Sequence, residues 1–304
     1  VMPKQNGIIN AGWPAIAPAL LDALDQAAGV FLLNPLSTLA PDAQQESRDV
    51  PFFTSSELAP LYTRTAPTEL CLFLSHAQVE QRLLPALLTP AGAAAFTSIL
   101  RSDRWKALLA QERPSPELHE SPHYDVVIDL LLSAIRPHFL AAQRIAFPVC
   151  AGPSLIEDAP FTLLFATRRP DSLFCMNDAI CSYRRRLEEQ SYQGLLNEAW
   201  FRARHHARLD AEAQALTERI LRLGRTQTPR RWPDLRQQLL LSSFGGALLN
   251  EYDEIIGKLL VAGEVRCEWR QREAQTPAAE QGEPRIPGND DVLIWSEKQA
   301  RRAR

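Results

Sequence analysis

No apolar run in this sequence approaches the roughly twenty residues that a helix needs to cross a bilayer. The opening Val1-Met-Pro-Lys also lacks a signal-peptide pattern. Both absences lead to the expectation of a soluble, cytoplasmic protein with no membrane partner. Cysteine is scarce and odd in number: Cys71, Cys150, Cys175, Cys181 and Cys267 are scattered through apolar surroundings, which argues against a disulfide framework and for buried free thiols. There is no Gly-x-Ser-x-Gly elbow to carry a nucleophilic serine. No Gly-x-Gly follows a strand-like run, so the turn that brings backbone against a nucleotide cofactor is missing. No repeat of fixed period is visible, which sets aside repeat architectures. The first residue is Val rather than Met, which leaves open that the chain is part of a longer gene product.

What is present is 304 residues, 45 % of them hydrophobic, enough for one large core or for two domains. The formal net charge of −3 is unevenly spread. Between Arg184 and Arg236 stand 12 Lys and Arg against 7 Asp and Glu, a local +5 that leaves −8 for the remainder. Two explanations stay open: arginines that solvate a long amphipathic helix, or a surface for an anionic partner.

The chain turns on Phe161-Thr-Leu-Leu-Phe-Ala-Thr-Arg-Arg-Pro170. Phe161 to Ala166 has the length and composition of a strand, ended by Arg168, Arg169 and Pro170. A helix should follow, with Leu173, Met176, Ile180 and Leu187 on one face. Upstream, a helix running from Gly12-Trp-Pro through Leu24 leads to Val30-Phe-Leu-Leu33, read as a short buried strand. Ser55 starts another helix, and Glu69 to Leu74 reads as a strand parallel to the first. Pro85 and Pro90 break residues 78–111 into short helices anchored by Trp105. Val127, Ile128, Leu131, Leu132 and Ile135 form the cleanest helical stripe, with Pro137 near its end. Arg144 to Cys150 is a strand expected to pair antiparallel with Phe161 to Thr167. Beyond Asp171 the pattern is helical to about Arg222, with a break at Gly194. Thr228-Pro229 and Trp232-Pro233 mark a domain boundary. Two short helices then precede Gly263 to Trp269 and Asp291 to Trp295, the order of a winged helix.

The Phe161 to Pro170 stretch, with Met176-Asn-Asp178 behind it and Leu259-Leu-Val-Ala-Gly-Glu-Val265 near the end, resembles the three-Cys-motif partner proteins. Val30-Phe-Leu-Leu-Asn-Pro-Leu36 is similar to their Phe-Leu-Asp-Pro-Phe segment, with Asn34 in place of Asp and Leu36 in place of an aromatic. The likeness covers most of the chain. It implies a class I methyltransferase-like sheet followed by a helical and winged-helix part. Independently, two parallel strands and an antiparallel hairpin are the second half of such a sheet. Its first half would carry the Gly-rich turn and acidic residue for S-adenosylmethionine, and it has no counterpart here. Either it belongs to a longer gene product or the fold has lost it. The expectation is an α/β fold: a partial methyltransferase-like (Rossmann-like) domain over 1–168, a basic helical connector over 169–226 and a winged-helix-like domain over 227–304.

With its usual neighbour missing, the Val30 to Leu33 edge is expected to be covered by the segment around Ile8-Ile9, by a second copy or by a separate protein partner. Asn34 and Pro35 stand where amino-methyltransferases place an Asn/Asp-Pro-Pro-aromatic turn, but no aromatic follows to stack a base. An ordinary strand-ending turn is the alternative. His119-Glu-Ser-Pro-His123 matches the letters of a zinc motif that works only on a helix, where Pro122 does not belong. No metal site is expected there, and Ser121 and Pro122 read instead as the start of the next helix. Asp125 and Asp129 read as a solvated pair, Asp171 as a helix cap and Asp178 as a surface residue. Arg184, Arg185, Arg186, Arg202, Arg204, Arg230 and Arg231 are the candidate phosphate contacts, with Arg266, Arg270 and Arg272 on the wing. Trp200 and Phe201 among them read as core. The acidic run Leu248-Leu-Asn-Glu-Tyr-Asp-Glu254 argues against major-groove readout.

The resulting expectation is a non-catalytic or catalytically incomplete nucleic-acid-associated protein that acts with a partner and binds no cofactor. One alternative is an S-adenosylmethionine-dependent methyltransferase whose cofactor half lies outside this chain, with Asn34 and Pro35 holding substrate. The other is an interaction module whose winged helix dimerises.

Overall fold

Apolar runs that alternate with amphipathic stripes fold here as strands between helices. The computed structural model describes residues 13–33, 55–77, 79, 83, 88–100, 102–111, 122–150, 156–226, 230–270 and 285–295. The chain is mixed α/β and divides into two compact units, Val1–Pro148 with Asp158–Ser172 and Val149–Glu157 with Leu173–Arg304.

In the first unit, α1 (Trp13–Leu24) leads to β1 (Gly29–Leu33), and α2 (Ser55–Thr63) to β2 (Thr68–Ser75). Helices α3 (Pro90–Leu100), α4 (Arg104–Gln111) and α5 (Pro122–Ile135) follow, and then the long strands β3 (Ala141–Cys150) and β4 (Ile156–Thr167). The sheet order is β1-β2-β4-β3. β1 runs parallel to β2 with Phe31 opposite Leu70, and β2 runs antiparallel to β4 with Leu72 opposite Leu164. Leu70, Leu72 and Leu74 face a core shared with Leu61 of α2, Trp105 of α4 and Ile128 of α5. The Trp105 indole is held by a hydrogen bond from Nε1 to Thr97 Oγ1 at 2.9 Å.

Arg64 and Arg168 close one end of this sheet. Arg64 Nη2 donates to the Asp25 carbonyl at 3.0 Å, and Nη1 donates to the Pro67 carbonyl and Thr68 Oγ1, each at 3.2 Å. Arg168 donates to the carbonyls of Leu61, Tyr62, Arg64 and His138. It thereby satisfies carbonyls that the end of α2 leaves without intrahelical partners. Burial first, and the nearby Arg64 cation second, pull the Arg168 pKa down. The Arg168 of the resembling motif therefore works in the scaffold.

One expectation fails at β1. Val30 and Leu32 are each 71 % exposed, whereas Phe31 is buried. A strand with only one face on the core buries only alternate residues.

The second unit continues from α6 (Pro170–Tyr192) through a turn at Gly194 to α7 (Glu198–Thr226). Then come β5 (Arg230–Arg231), α8 (Trp232–Ser242), α9 (Leu249–Val261), β6 (Val265–Glu268) and β7 (Val292–Trp295). Strands β5, β7 and β6 lie in that order, each pair antiparallel. Their core takes Leu216 and Ile220 from α7, Trp232 and Leu235 from α8, and Tyr252 and Ile256 from α9. The end of the expected connector at residue 226 thus falls inside one packed unit. Gly224 of α7 lies against Trp295, where a Cβ would stand 2.2 Å from ring carbon Cε2. Among the described residues no helix is long and apolar enough to cross a membrane.

Candidate nucleic-acid interface

Helix α9 buries Tyr252, Ile255, Ile256 and Leu259 at helical spacing and exposes Asn250, Glu254, Lys258 and Val261. The residue before it, Leu248, has no side chain able to cap it. The caps come from elsewhere. Asp178 Oδ1 of α6 accepts from Leu249 N at 2.9 Å, and Glu251 Oε2 accepts from Leu248 N at 2.8 Å. Beside them, fully buried Asn177 accepts from Gly245 N at 2.8 Å and donates to the Ala247 carbonyl at 2.8 Å and to Asp178 Oδ1 at 3.0 Å. Gly245 adopts φ +73°, and a Cβ there would meet Ile180 Cγ2 at 2.7 Å. Asn177 and Asp178 thus fasten the turn into α9. The expectation that Asp178 is a surface residue is corrected: it caps a helix 71 residues away in sequence.

The acidity of α9 is largely engaged inside the unit. Arg185 donates to both Glu251 oxygens, at 2.9 and 2.8 Å. That hydrogen-bonded pairing, more than any other influence, raises the Arg185 pKa. Asp253 accepts from Trp232 Nε1 at 2.8 Å and from Arg236 Nη1 at 2.8 Å, and Arg236 lies over the Phe174 ring. The outward face of α9 then carries one acid, Glu254, and one base, Lys258, so it is close to neutral.

The candidate arginines separate into engaged and outward-facing groups. Arg185 belongs to α9 through Glu251. Arg184 is half-buried near the Gly245 turn. Arg202 pairs with Glu198, and Arg230 Nη1 donates to Gln238 Oε1 at 2.8 Å. Arg186 is exposed, and Arg204 lies 5.4 Å over the Trp200 ring. Trp200 is 57 % exposed, which corrects its reading as core, while Phe201 stacks on Tyr192. Arg231 is exposed opposite Val292, and Arg266 is exposed opposite Ile294. Residues opposite each other share a face in an antiparallel pair. Leu293 and Trp295 point inward, so Arg231 and Arg266 stand on the outer face with Ile294.

Directly before β7, Asp291 is buried and accepts from Arg270 N at 2.8 Å and from Gly288 N at 2.9 Å. Arg285 lies 4.3 Å over the Trp269 ring. Sequence reasoning missed Asp291, although an Asp directly before an apolar strand and three residues after a Gly is the signal of such a loop staple. Arg272 lies outside the described residues.

The methyltransferase-type candidates Asn34 and Pro35 also lie outside the described residues. At the end of the neighbouring parallel strand, the His76 ring packs 3.7 Å from that of Tyr124, whose hydroxyl donates to the Leu74 carbonyl at 3.3 Å. Burial pushes the Tyr124 phenol up to about 12, so it remains a protonated donor at neutral pH. Helix α5 begins at Pro122 as expected, His119 is outside the described residues, and Asp125 is paired with Arg144. Cys71 and Cys181 are buried free thiols, but Cys175 is exposed and Cys267 half-buried, so burial of the thiols is only partial.

No protein family, curated protein or solved structure matches this chain in comparisons with known proteins. Its site has to be read from its own geometry.

Proposed function

We propose that the chain is a non-catalytic or catalytically incomplete nucleic-acid-associated protein that acts with a partner. In this reading a methyltransferase-like half sheet, as in the three-Cys-motif partner proteins, carries a winged-helix-like unit. The observation that carries it is the engagement of Glu251 by Arg185 and of Asp253 by Arg236. It removes two of the three α9 carboxylates from the face a nucleic acid would meet. The order α7-β5-α8-α9-β6-β7, with β7 between β5 and β6, supports the winged-helix assignment. Lys258, Arg231 and Arg266 are the outward cations that would meet phosphates, which predicts backbone binding with little sequence preference.

Anisotropy titration of a labelled duplex over a range of salt tests this. Arg231→Ala and Arg266→Ala should each weaken binding alike across sequences and lower the salt slope by about 1. No binding at about 10⁻⁴ M protein in low salt would remove the proposal.

A second reading is supported by the parallel β1–β2 pair leading into Asn34-Pro35: an S-adenosylmethionine-dependent methyltransferase completed by a cofactor half outside this chain. Calorimetric titration of S-adenosylmethionine separates the two. Heat of binding favours the enzyme, and none favours the incomplete domain.

A further inference from the structure

The Gly29 N–H donates to the Pro67 carbonyl at 3.0 Å, and Gly29 stands opposite Thr68 in the parallel ladder. Backbone groups alternate sides along a strand, so Gly29, Phe31 and Leu33 turn theirs toward β2. Val30 and Leu32 consequently turn their N–H and C=O groups to the other side, where β1 has no neighbouring strand among the described residues. The side chains of these same two residues are each 71 % exposed. Gly-Val-Phe-Leu-Leu contains no charge, proline or bulge of the kind that keeps strand edges from pairing.

We propose that two copies of this chain join through β1, antiparallel, with the two Phe31 residues opposite each other on the twofold axis. This does not depend on the nucleic-acid reading. In that register Val30 of each copy faces Leu32 of the other. Both are residues whose backbone groups point outward, so each facing pair exchanges two N–H···O bonds and all four outward N–H groups are engaged. A shift of two residues leaves half of them unpaired, and a shift of one sets outward groups against inward ones. The same register places each exposed valine beside an exposed leucine on one face of the joined sheet. No charge meets another in it. The symmetry is isologous, so the contact closes at two copies. Its small area gives a dimer that dissociates on dilution.

The test is the mass of the full chain by light scattering and sedimentation across the micromolar range. The wild-type mass should double with concentration. Val30→Lys/Leu32→Lys sets like charges opposite each other and should stay monomeric. Val30→Glu/Leu32→Lys sets opposite charges across the pair in this register alone and should retain the dimer. Both positions are exposed in the single copy, so folding should persist, as checked by circular dichroism. A wild-type chain that stays monomeric overturns the proposal. Protected Val30 and Leu32 amides in that monomer would point to cover from this chain's own residues, and fast exchange to an open edge. Equal behaviour of the two double variants also overturns it.

Discussion

Replacing Asn177 with Ala should destabilise the C-terminal unit more than any surface change could. The side chain is fully buried and makes three hydrogen bonds, to Gly245 N, the Ala247 carbonyl and Asp178. Asn177→Ala leaves the buried Gly245 N–H and the part-buried Ala247 C=O without the partner they have here. Each such orphan costs about 1–3 kcal/mol. Slackening of the neighbouring Asp178 cap on α9 adds about 1 kcal/mol. The expected total is about 3–7 kcal/mol, a large part of a typical folding stability of about 5–15 kcal/mol. Urea unfolding followed by tryptophan fluorescence, with Trp232 and Trp295 as reporters in this unit, measures it. Asn177→Asp is the control. It keeps an acceptor for Gly245, loses the donor to Ala247 and adds a second carboxylate beside Asp178. It should be destabilised at neutral pH and partly recover on acidification, when a protonated carboxyl can donate. An Asn177→Ala loss within about 0.5 kcal/mol of zero would refute the clamp.

Other consequences follow from packing and titration. Gly224→Ala improves intrinsic helix propensity by about 1 kcal/mol, yet it sets a Cβ 2.2 Å from Trp295. A net loss of about 1–3 kcal/mol and a shifted tryptophan emission are expected. Burial raises the Cys71, Cys181 and Cys267 thiols from 9.0 to about 11. A folded pKa above the unfolded one means the fold prefers the protonated thiol. This stability is complete below pH 9 and is lost as pH rises through about 11, which a series of urea midpoints across that window checks. Thiol labelling of the native protein at mild pH should modify Cys175 first, with Cys71 and Cys181 reacting only after unfolding, as peptide mapping can show.

Much of the architecture was readable from local pattern. The apolar run at Glu69 to Leu74, the stripe through Val127 to Ile135 and the proline starts at residues 122 and 170 all became the expected elements. Their signals lie within a turn or two of chain, where side-chain period and proline geometry act directly. The two-residue strand β5 was missed because Arg230 and Arg231 carry no apolar pattern; it forms by pairing with β7.

The site was less readable, because charge in a sequence does not say which charges are already paired. Arg185 and Glu251 are 66 residues apart, and the polar grip of Asn177 on Ala247 spans 70. By itself the sequence determined an α/β chain with a basic middle, helices punctuated by proline and a C-terminal order of two helices and two strands. Only the tertiary structure decided that Arg185 serves α9, that Asp178 is a cap, and that Val30 and Leu32 face outward. Periodicity is a property of neighbours along the chain, whereas pairing and exposure are set by which distant segments the fold brings together or leaves apart.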